Sequence, residues 1–446
     1  MSSARRLFLL GLIVRLAGLP FNGMADLYQI LLDWGFGVHS RGLVAGFGIN
    51  YGIFSYAFFG LAAGAAEAVP RFWWAPYKII ILAFDAGVLA ALLRLVPRER
   101  WTAVMLMFWL NPWFILHEAY YGFWEAPHIL CALAAVLVLS RSDRGRAWAI
   151  VGALLMCSAM FKPQGILYFI GPVGVYFLVR WLREPTSDAF YWAAGAAAVA
   201  VVTSAAIYLA GGSLFALVEN YRSAFTIMSG VSNGGPGFWR FVSFLYMQLT
   251  GQSGHVAFLH MPRVLIGALS GVAGIACLAI LVVYARQLSN GPRTPAEALF
   301  LMMTMGALAL SQFGARAHIN HSYTMMVLMV PLAAIRGEMF KPWLAMNVLL
   351  GLSHVLIFGL GDAALLPPAG ILSRFPAAHA LIQSTMALPA YRSPDAALSV
   401  QTAVNAAVHL LPGETLVSLL SPVVFVVACL MVRAMFDAAR SRIAIL

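Results

Sequence analysis

The chain of 446 residues is too apolar for a soluble protein, because 62% of its residues are hydrophobic and 10% are charged, against about a quarter in a soluble domain. Its net charge of +11 could serve nucleic-acid binding, but the arginines are scattered in short segments between apolar runs, as the positive-inside rule requires of cytoplasmic loops. The composition therefore predicts an all-α polytopic membrane protein and no nucleic-acid partner. The four cysteines fall inside apolar runs and are expected to be small hydrophobic side chains, not disulfides or metal ligands.

Apolar runs long enough to cross a bilayer recur along the chain. A span needs about 20 apolar residues, although about 17 can suffice, and this rule predicts about twelve spans. The positive-inside rule places both termini and the arginine-bearing loops in the cytoplasm. The first run resembles a signal peptide, but no small-residue cleavage site follows it, so it is predicted to remain as a span. The predicted spans lie near 6–21, 75–95, 103–119, 125–140, 147–162, 165–181, 189–210, 263–285, 296–313, 321–335, 342–360 and 414–435.

Two further apolar segments are predicted not to cross. If 51–69 crossed, the arginines at 94–100 would lie outside, so this segment is predicted to re-enter or to pack steeply inside protein. Segment 238–262 is broken by Gly251 and Gly254 and is predicted to dip into the membrane. The loops predicted on the outer face are 22–50, 120–124, 162–164, 211–262, 314–320 and 361–413. The last of them, rich in alanine and proline, is expected to cover the outer mouth as short helices.

Asp26 lies in the first outer loop, shortly after the first span. Leu27, Ile30, Leu31 and Trp34 follow it at helical spacing, which predicts an amphipathic helix at the membrane interface. A carboxylate beside a largely apolar protein is costly unless it is paired or functional. Asp26 is interpreted either as the N-cap of this helix or as a general base at the lipid–water boundary, where a hydroxyl acceptor and an amphiphilic donor can meet.

Further acidic residues follow at and near the outer ends of the next spans. Lys78 and Asp85 lie about two turns apart on one face of a predicted helix. One interpretation is that they neutralise each other or a neighbouring charge. His117, Glu118 and Glu125 fall where one span ends outside and the next begins. A glutamate at a helix start often does no more than complement the helix dipole.

Cationic residues occur in several of the predicted outer loops. Lys162 interrupts a helical hairpin and is either a snorkelling anchor or an anion ligand. Arg222 lies in a long loop that also contains Gly234, Gly235 and Gly237. Glycines permit tight backbone conformations, and their exposed amides could approach a phosphate.

The last cationic group, Arg316, His318 and His321, lies at the outer mouth of a later hairpin. The two histidines have the spacing of metal ligands on one helix face. No third ligand is evident, so no metal is expected. An arginine beside histidines suits a phosphodiester better, because a guanidinium can hold two phosphate oxygens.

The motifs follow one another in a familiar order. They are Asp26, Tyr51–Ile53, Lys78 with Asp85, Asn111–Pro112, Gly122–Glu125, Lys162–Gln164, Asn233–Trp239 and His318–Tyr323. In this order the chain resembles, over residues 1–335, the C-type superfamily of membrane glycosyltransferases, which use polyprenyl-phosphate-linked sugars. The bacterial mannosyltransferase-like branch is the nearest in pattern. The elements at Tyr51, Glu125 and His318 depart from the family's motifs, so the sugar is not identified.

The resemblance implies an inverting hexosyltransferase, with a mannose-like sugar favoured, acting at the outer face of a bacterial cytoplasmic membrane without a cofactor. The donor would be a polyprenyl-phosphate sugar and the acceptor a lipid or glycan, among membrane lipids. The transferase core would be 1–335, followed by membrane helices in 336–446. A transporter or lipid flippase is the alternative; it would require inverted repeats, which are not apparent, and a non-catalytic scaffold is a third class. The implied roles are base for Asp26, donor-phosphate binding for Lys162, Arg222, Arg316, His318 and His321, and substrate binding for Glu125, Gln164, Asn233 and Trp239.

Overall fold

The computed structural model describes residues 3–19, 29–48, 51–69, 73–143, 145–226, 231–232, 235–252, 260–291, 293–318, 320–358 and 413–440. Within these ranges the chain is helical and contains no β-strand, as the composition predicts. The helices are α1 (Ser3–Leu16), α2 (Phe36–Arg41), α3 (Leu43–Gly46), α4 (Ile53–Ala66), α5 (Ala75–Arg94), α6 (Trp101–Val104), α7 (Pro112–Phe114), α8 (Ala126–Leu139), α9 (Gly145–Phe161), α10 (Gly171–Trp181), α11 (Asp188–Leu209), α12 (Ala216–Thr226), α13 (Phe238–Thr250), α14 (Arg263–Ser289), α15 (Pro295–Gln312), α16 (His321–Ile335), α17 (Gly337–Phe358) and α18 (Gly413–Ala438). π-Helical turns precede α2 and α10 (Gln29–Gly35, Ile166–Ile170) and follow α6 and α7 (Met105–Trp109, Ile115–Tyr120).

Five of the described helices, α5, α11, α14, α17 and α18, are long and apolar enough to cross a membrane. Their exposed surfaces are apolar: on α11, for example, Val201 is 65% and Leu209 84% exposed. Exposing such side chains to lipid has no free-energy cost, because the lipid tails are equally apolar. The protein is therefore membrane-embedded, but the predicted count of about twelve spans is not confirmed.

The uninterrupted α15, of 18 residues, covers the span predicted near 296–313. The remaining predicted spans form shorter or interrupted helices. Apolar helices of 10–17 residues occupy the segments predicted near 125–140, 147–162, 165–181 and 321–335. The segment predicted near 103–119 is interrupted at Asn111, whose side chain caps a new helix by accepting from the Trp113 N–H at 3.0 Å. Pro112 then stands at the first helical position, where its missing N–H is no loss.

The two segments predicted not to cross are both helical in part. Segment 51–69 contains α4, whose 14 residues extend about 21 Å, less than a bilayer core. Much of α4 is buried inside the protein, including Tyr56 and Phe59. Segment 238–262 contains α13, which ends at Gly251 in a left-handed conformation (φ 66°), as glycine C-caps do. The predicted break at Gly251 is confirmed. The predicted loop 361–413 lies almost wholly outside the described residues.

The helices that hold the polar residues run antiparallel, and close contacts fix them. Gly152 of α9 and Gly195 of α11 lie directly against backbone of the opposite helix, so any side chain there would force these helices apart. Glu125, which precedes α8, contacts Lys162, which follows α9. α16 begins at the same end, because its first residue, His321, contacts Gln164. The opposite ends of α8, α9 and α16 adjoin arginine-bearing segments.

α15 and α16 form the centre of the molecule, with almost every residue buried. A Thr294–Glu297 capping box starts α15 and satisfies two backbone amides at once. The C-terminal helices α17 and α18 pack on this core. The buried Arg240 of α13 lies 3.2 Å from the Ser418 hydroxyl of α18. Residues beyond 336 are thus in close contact with the part predicted as the transferase core.

Candidate functional site

A buried ion pair between Lys162 and Glu125 lies at the centre of the candidate site. The side chains are 3% and 1% exposed. Lys162 directly follows α9 and begins the hairpin turn, and its Nζ lies 5.6 Å from the centre of the Tyr51 ring. A buried charge without a partner is strongly destabilising, so each residue of the pair compensates the charge of the other. The sequence predicted both as site residues but did not predict that they pair.

Glu125 stands in the short loop that precedes α8, and its environment opposes ionisation. Burial raises the pKa of the Glu125 carboxyl above its ordinary value, whereas the Lys162 ammonium and its hydrogen bond lower it. The interpretation of Glu125 as a mere dipole partner is thus incomplete, because its carboxylate is committed to Lys162.

His128 and Thr324, which were not predicted as site residues, connect this pair to α16. His128 lies one turn after Glu125, with its Nδ1 3.8 Å from the Glu125 carboxylate. Its Nε2 lies 3.0 Å from the Thr324 hydroxyl. The spacing of Glu125 and His128, three residues apart on one helix face, was the available signal. The identity of Thr324 as the partner depends on which helices pack together.

Gln164 and His321 join the segment after α9 to the start of α16. The Gln164 amide lies 3.1 Å from His321 Nε2. The His318 backbone N–H donates to His321 Nδ1 at 3.0 Å. The His318 ring lies 2.7 Å from the Asn320 side-chain oxygen. Of the two histidines predicted as phosphate ligands, His321 thus contacts Gln164, one of the predicted substrate-binding residues, and His318 contacts His321.

Arg316 lies on the turn between α15 and α16, against the glycine-containing segment before α13. Its backbone N–H donates to Val231 O at 2.5 Å, and the Gly235 N–H donates to Ala317 O at 3.1 Å. This corrects the expectation that the Gly235 amide approaches a phosphate, since a carbonyl already accepts from it. Arg316 has a positive φ of 62°, a conformation that is unusual outside glycine and often found at functional sites.

Trp239 fixes the same pair of loops. Its indole N–H donates to Phe313 O at 2.6 Å, and its side chain is 8% exposed. The ring is therefore a structural link between α13 and the end of α15. The substrate-binding role of Trp239 stays a prediction.

Arg222 is exposed on α12, whereas Lys162 is buried. Its helix nevertheless touches that region, because Asn220 donates to Gly48 O at 2.6 Å and to Tyr51 O at 2.9 Å. The latter contact positions the aromatic ring that faces Lys162.

Asp26 and Asn233 lie outside the described residues, so the structure assigns neither a position. The chain before Asp26 is anchored at the same end of the molecule as the Lys162 cluster. Lys78 Nζ donates to Gly18 O at 3.1 Å and to Tyr120 O at 2.7 Å. The end of α1, the start of α5 and the loop before α8 are thereby held together.

A second buried polar cluster lies between α1, α5 and α16. Asp85 pairs with Arg15 at 2.9 Å, and the Tyr323 hydroxyl lies 3.4 Å from the other Asp85 oxygen. Lys78 and Asp85 therefore do not neutralise each other; Asp85 is neutralised by a neighbour, the second of the predicted possibilities. The His117 ring stacks on Tyr323 with centroids 4.2 Å apart, and the Glu118 carboxylate lies 3.7 Å from His117 Nδ1. Arg15, a charged residue within the first apolar run, was the sequence feature that could have indicated this cluster.

The arrangement combines an ammonium, imidazoles and an amide at one end of the helices. Such groups bind anions and hydroxyls, and burial strengthens each contact. No protein-family model and no curated protein sequence matches the chain. The function is therefore inferred from these residues and from the sequence resemblance.

Proposed function

We propose that the protein is an inverting glycosyltransferase that moves a hexose, most simply mannose, from a polyprenyl-phosphate donor to a lipid or glycan acceptor. One observation carries the proposal. The Lys162–Glu125 and Gln164–His321 contacts unite predicted site residues from distant parts of the chain at one end of the helices. Five predicted site residues meet there: Glu125, Lys162, Gln164, His318 and His321. A purely structural role would not explain why predicted site residues gather in one place.

The donor phosphate is assigned to the cationic side of this cluster. Lys162 supplies a fixed charge, His321 and His318 supply imidazole groups, and the strained turn at Arg316 presents a guanidinium nearby in the chain. Cations that face a departing phosphate stabilise the charge that develops on it in the transition state. Because a lipid phosphate is already a good leaving group, no strong general acid is needed.

The proposed reaction uses Asp26 as its base. The acceptor hydroxyl oxygen attacks the anomeric carbon, and its proton goes to the Asp26 carboxylate. The bond between the anomeric carbon and the phosphate oxygen breaks on the opposite side, and its electron pair leaves with the polyprenyl phosphate. Attack opposite the leaving group inverts the anomeric centre, as in the base half of inverting glycoside hydrolysis.

The proposed sidedness follows from the charges at the helix ends. The segments at the far ends of α8, α9 and α16 carry Arg141, Arg146 and Arg336. The positive-inside rule assigns such segments to the cytoplasm, which puts the Lys162 cluster at the outer face of a bacterial cytoplasmic membrane. Additional spans beyond the five long helices, up to about twelve, remain part of this proposal.

The proposal is tested by reconstituting the purified protein in lipid vesicles with polyprenyl-phosphate mannose and, separately, polyprenyl-phosphate glucose. We expect free polyprenyl phosphate to form in step with a glycosylated acceptor, provided that membrane extract from the source cells supplies the acceptor. An Asp26→Asn preparation of equal amount and fold is the matched control. If the folded protein consumes neither polyprenyl-phosphate mannose nor polyprenyl-phosphate glucose, the assignment is contradicted.

A transporter or lipid flippase is the second candidate, and one observation favours it. The Arg15–Asp85 pair lies near the middle of α5, where ionisable residues commonly serve transport. A flippase would move the intact donor between leaflets and release no polyprenyl phosphate. Transbilayer movement of intact polyprenyl-phosphate mannose at a rate unaffected by Asp26→Asn, without release of phosphate, would favour this candidate over the transferase.

A further inference from the structure

A cavity of about 660 Å³ lies between the start of α6, the end of α16 and the first half of α17. It is separate from the Lys162 cluster. α16 begins at that cluster with His321 and reaches the cavity at Ala333–Ile335, and its 15 residues extend about 22 Å. The volume falls within the range of small-molecule sites.

The cavity wall is largely apolar and open to the surface of the helices. Leu106, Phe340 and Leu344 line it and are 52%, 40% and 44% exposed. On helices that lie in lipid, a groove with partly exposed apolar walls admits a hydrocarbon chain from the side. A soluble metabolite would gain nothing from such walls.

Two polar residues in the lining define what else the ligand carries. Asn347 is 8% exposed, and its Nδ2 makes no hydrogen bond with any described residue. Asn111, also in the lining, differs because it donates to Met107 O and accepts from the Trp113 N–H. A buried donor that lacks an acceptor is unfavourable, so Asn347 needs an acceptor atom such as an ester carbonyl.

The rim of the cavity is basic. Arg100 lines it and is exposed, and Arg98, Arg336 and Lys341 lie in the adjoining segments. The acidic residues of these segments are Glu99 and Glu338, and Glu338 is already paired with Arg336 at 3.1 Å. Positive charge is therefore in excess at this end. Basic pockets between membrane helices on the cytoplasmic side favour anionic lipid headgroups.

We propose that this cavity binds one anionic phospholipid. Its acyl chain lies along Leu106, Phe340 and Leu344, an ester carbonyl accepts from Asn347 Nδ2, and the headgroup phosphate is held by Arg100. The assignment is independent of the proposed transfer reaction, because it concerns the opposite end of α16 and no residue of the Lys162 cluster.

The test measures lipid retention, not sugar transfer. The full-length protein is reconstituted in nanodiscs of equal parts phosphatidylglycerol and phosphatidylcholine, extracted in mild detergent, and examined by native mass spectrometry. We expect bound phosphatidylglycerol in preference to phosphatidylcholine. Arg100→Gln should reduce its retention by about fivefold, the effect of one cation near a lipid headgroup, and Leu344→Trp should reduce it further by filling the groove.

Matched controls separate the site from general charge and bulk. Arg98→Gln removes an exposed arginine two residues away that does not line the cavity, and Leu278→Trp adds the same bulk on the lipid-facing side of α14, where Leu278 is 52% exposed. Leu278→Trp should retain phosphatidylglycerol like the unmodified protein, and Arg98→Gln should lose much less of it than Arg100→Gln. Equal retention of the two lipids, or equal losses from Arg100→Gln and Arg98→Gln, would overturn the proposal. If Leu344→Trp does not fold, the comparison of the two arginine variants still decides it.

Discussion

Lys162 and Glu125, 37 residues apart in the sequence, form an ion pair that is almost completely buried. Removing one partner leaves the other charge uncompensated, which costs about 3–5 kcal/mol. We therefore expect Glu125→Gln to lower the thermal unfolding temperature strongly. The double variant Glu125→Gln/Lys162→Met, which buries no charge, should recover most of the loss. Unfolding followed by intrinsic tryptophan fluorescence in detergent measures both.

The double variant also separates the structural role of the pair from its proposed role in binding. If either residue binds a substrate, the double variant is stable and transfers sugar poorly. If the two residues only neutralise each other, the double variant is both stable and active. A double variant no more stable than Glu125→Gln alone would contradict the coupling of the two residues.

Asp26→Asn tests the proposed base. The substitution keeps the size and the hydrogen-bonding capacity of the side chain but removes its basicity. We expect the turnover rate to fall by about 10²–10⁴, the usual contribution of a general base, with little change in unfolding temperature. Asp33→Asn, a second aspartate a few residues further along, is the control and should remain active. Near-normal turnover by Asp26→Asn would end its assignment as the base.

The helical class and several local features could be predicted from the sequence because they depend on nearby residues. Apolar runs mark helices, and the break at Gly251 follows from backbone preferences. The break at Asn111, inside the span predicted over 103–119, was not predicted. Lys162 and Gln164 were predicted to act at one site with His321, and the structure brings all three together. Their grouping followed from the alternation of helix ends, which fixes which loops share a face.

The sequence does not show which helices pack against each other. Periodicity shows which face of a helix is apolar but not which helix covers it, so the pairing of Arg15 with Asp85 was not predicted. The contact of His128 with Thr324 was not predicted for the same reason. The count of about twelve spans is not confirmed for a related reason: a short apolar helix and a membrane span differ in length and surroundings more than in composition.

Inserted reporter tags test the proposed sidedness. A tag after Asp143, in the exposed turn between α8 and α9, should be accessible only from the cytoplasm, because this turn carries Arg141 and neighbouring arginines. Tags after Gly234 and Gly370 should be accessible from outside. Protease protection in intact and permeabilised cells distinguishes the two. A cytoplasmic signal from the tag after Gly234 would place the segment before α13 on the wrong side for the proposed reaction.

Arg316 offers the sharpest test of donor binding, because its side chain and its backbone make separable contributions. Arg316→Ala removes the guanidinium and should raise the KM for the donor and lower kcat/KM, since the lost contact serves both the ground and the transition state. Arg316→Lys should restore only part of the loss, because an ammonium lacks the forked geometry that holds two phosphate oxygens.

Arg316→Gly supplies the matched control for the backbone. Arg316 has a φ of 62°, a region that glycine adopts without the strain a side chain incurs. We expect Arg316→Gly to show the same kinetic defect as Arg316→Ala but an unfolding free energy higher by roughly 1 kcal/mol. Normal kinetics in both variants would show that Arg316 only anchors the turn between α15 and α16. Equal stability of the two would instead show that the positive φ stores no strain, and would leave the kinetic comparison to decide the role of the guanidinium.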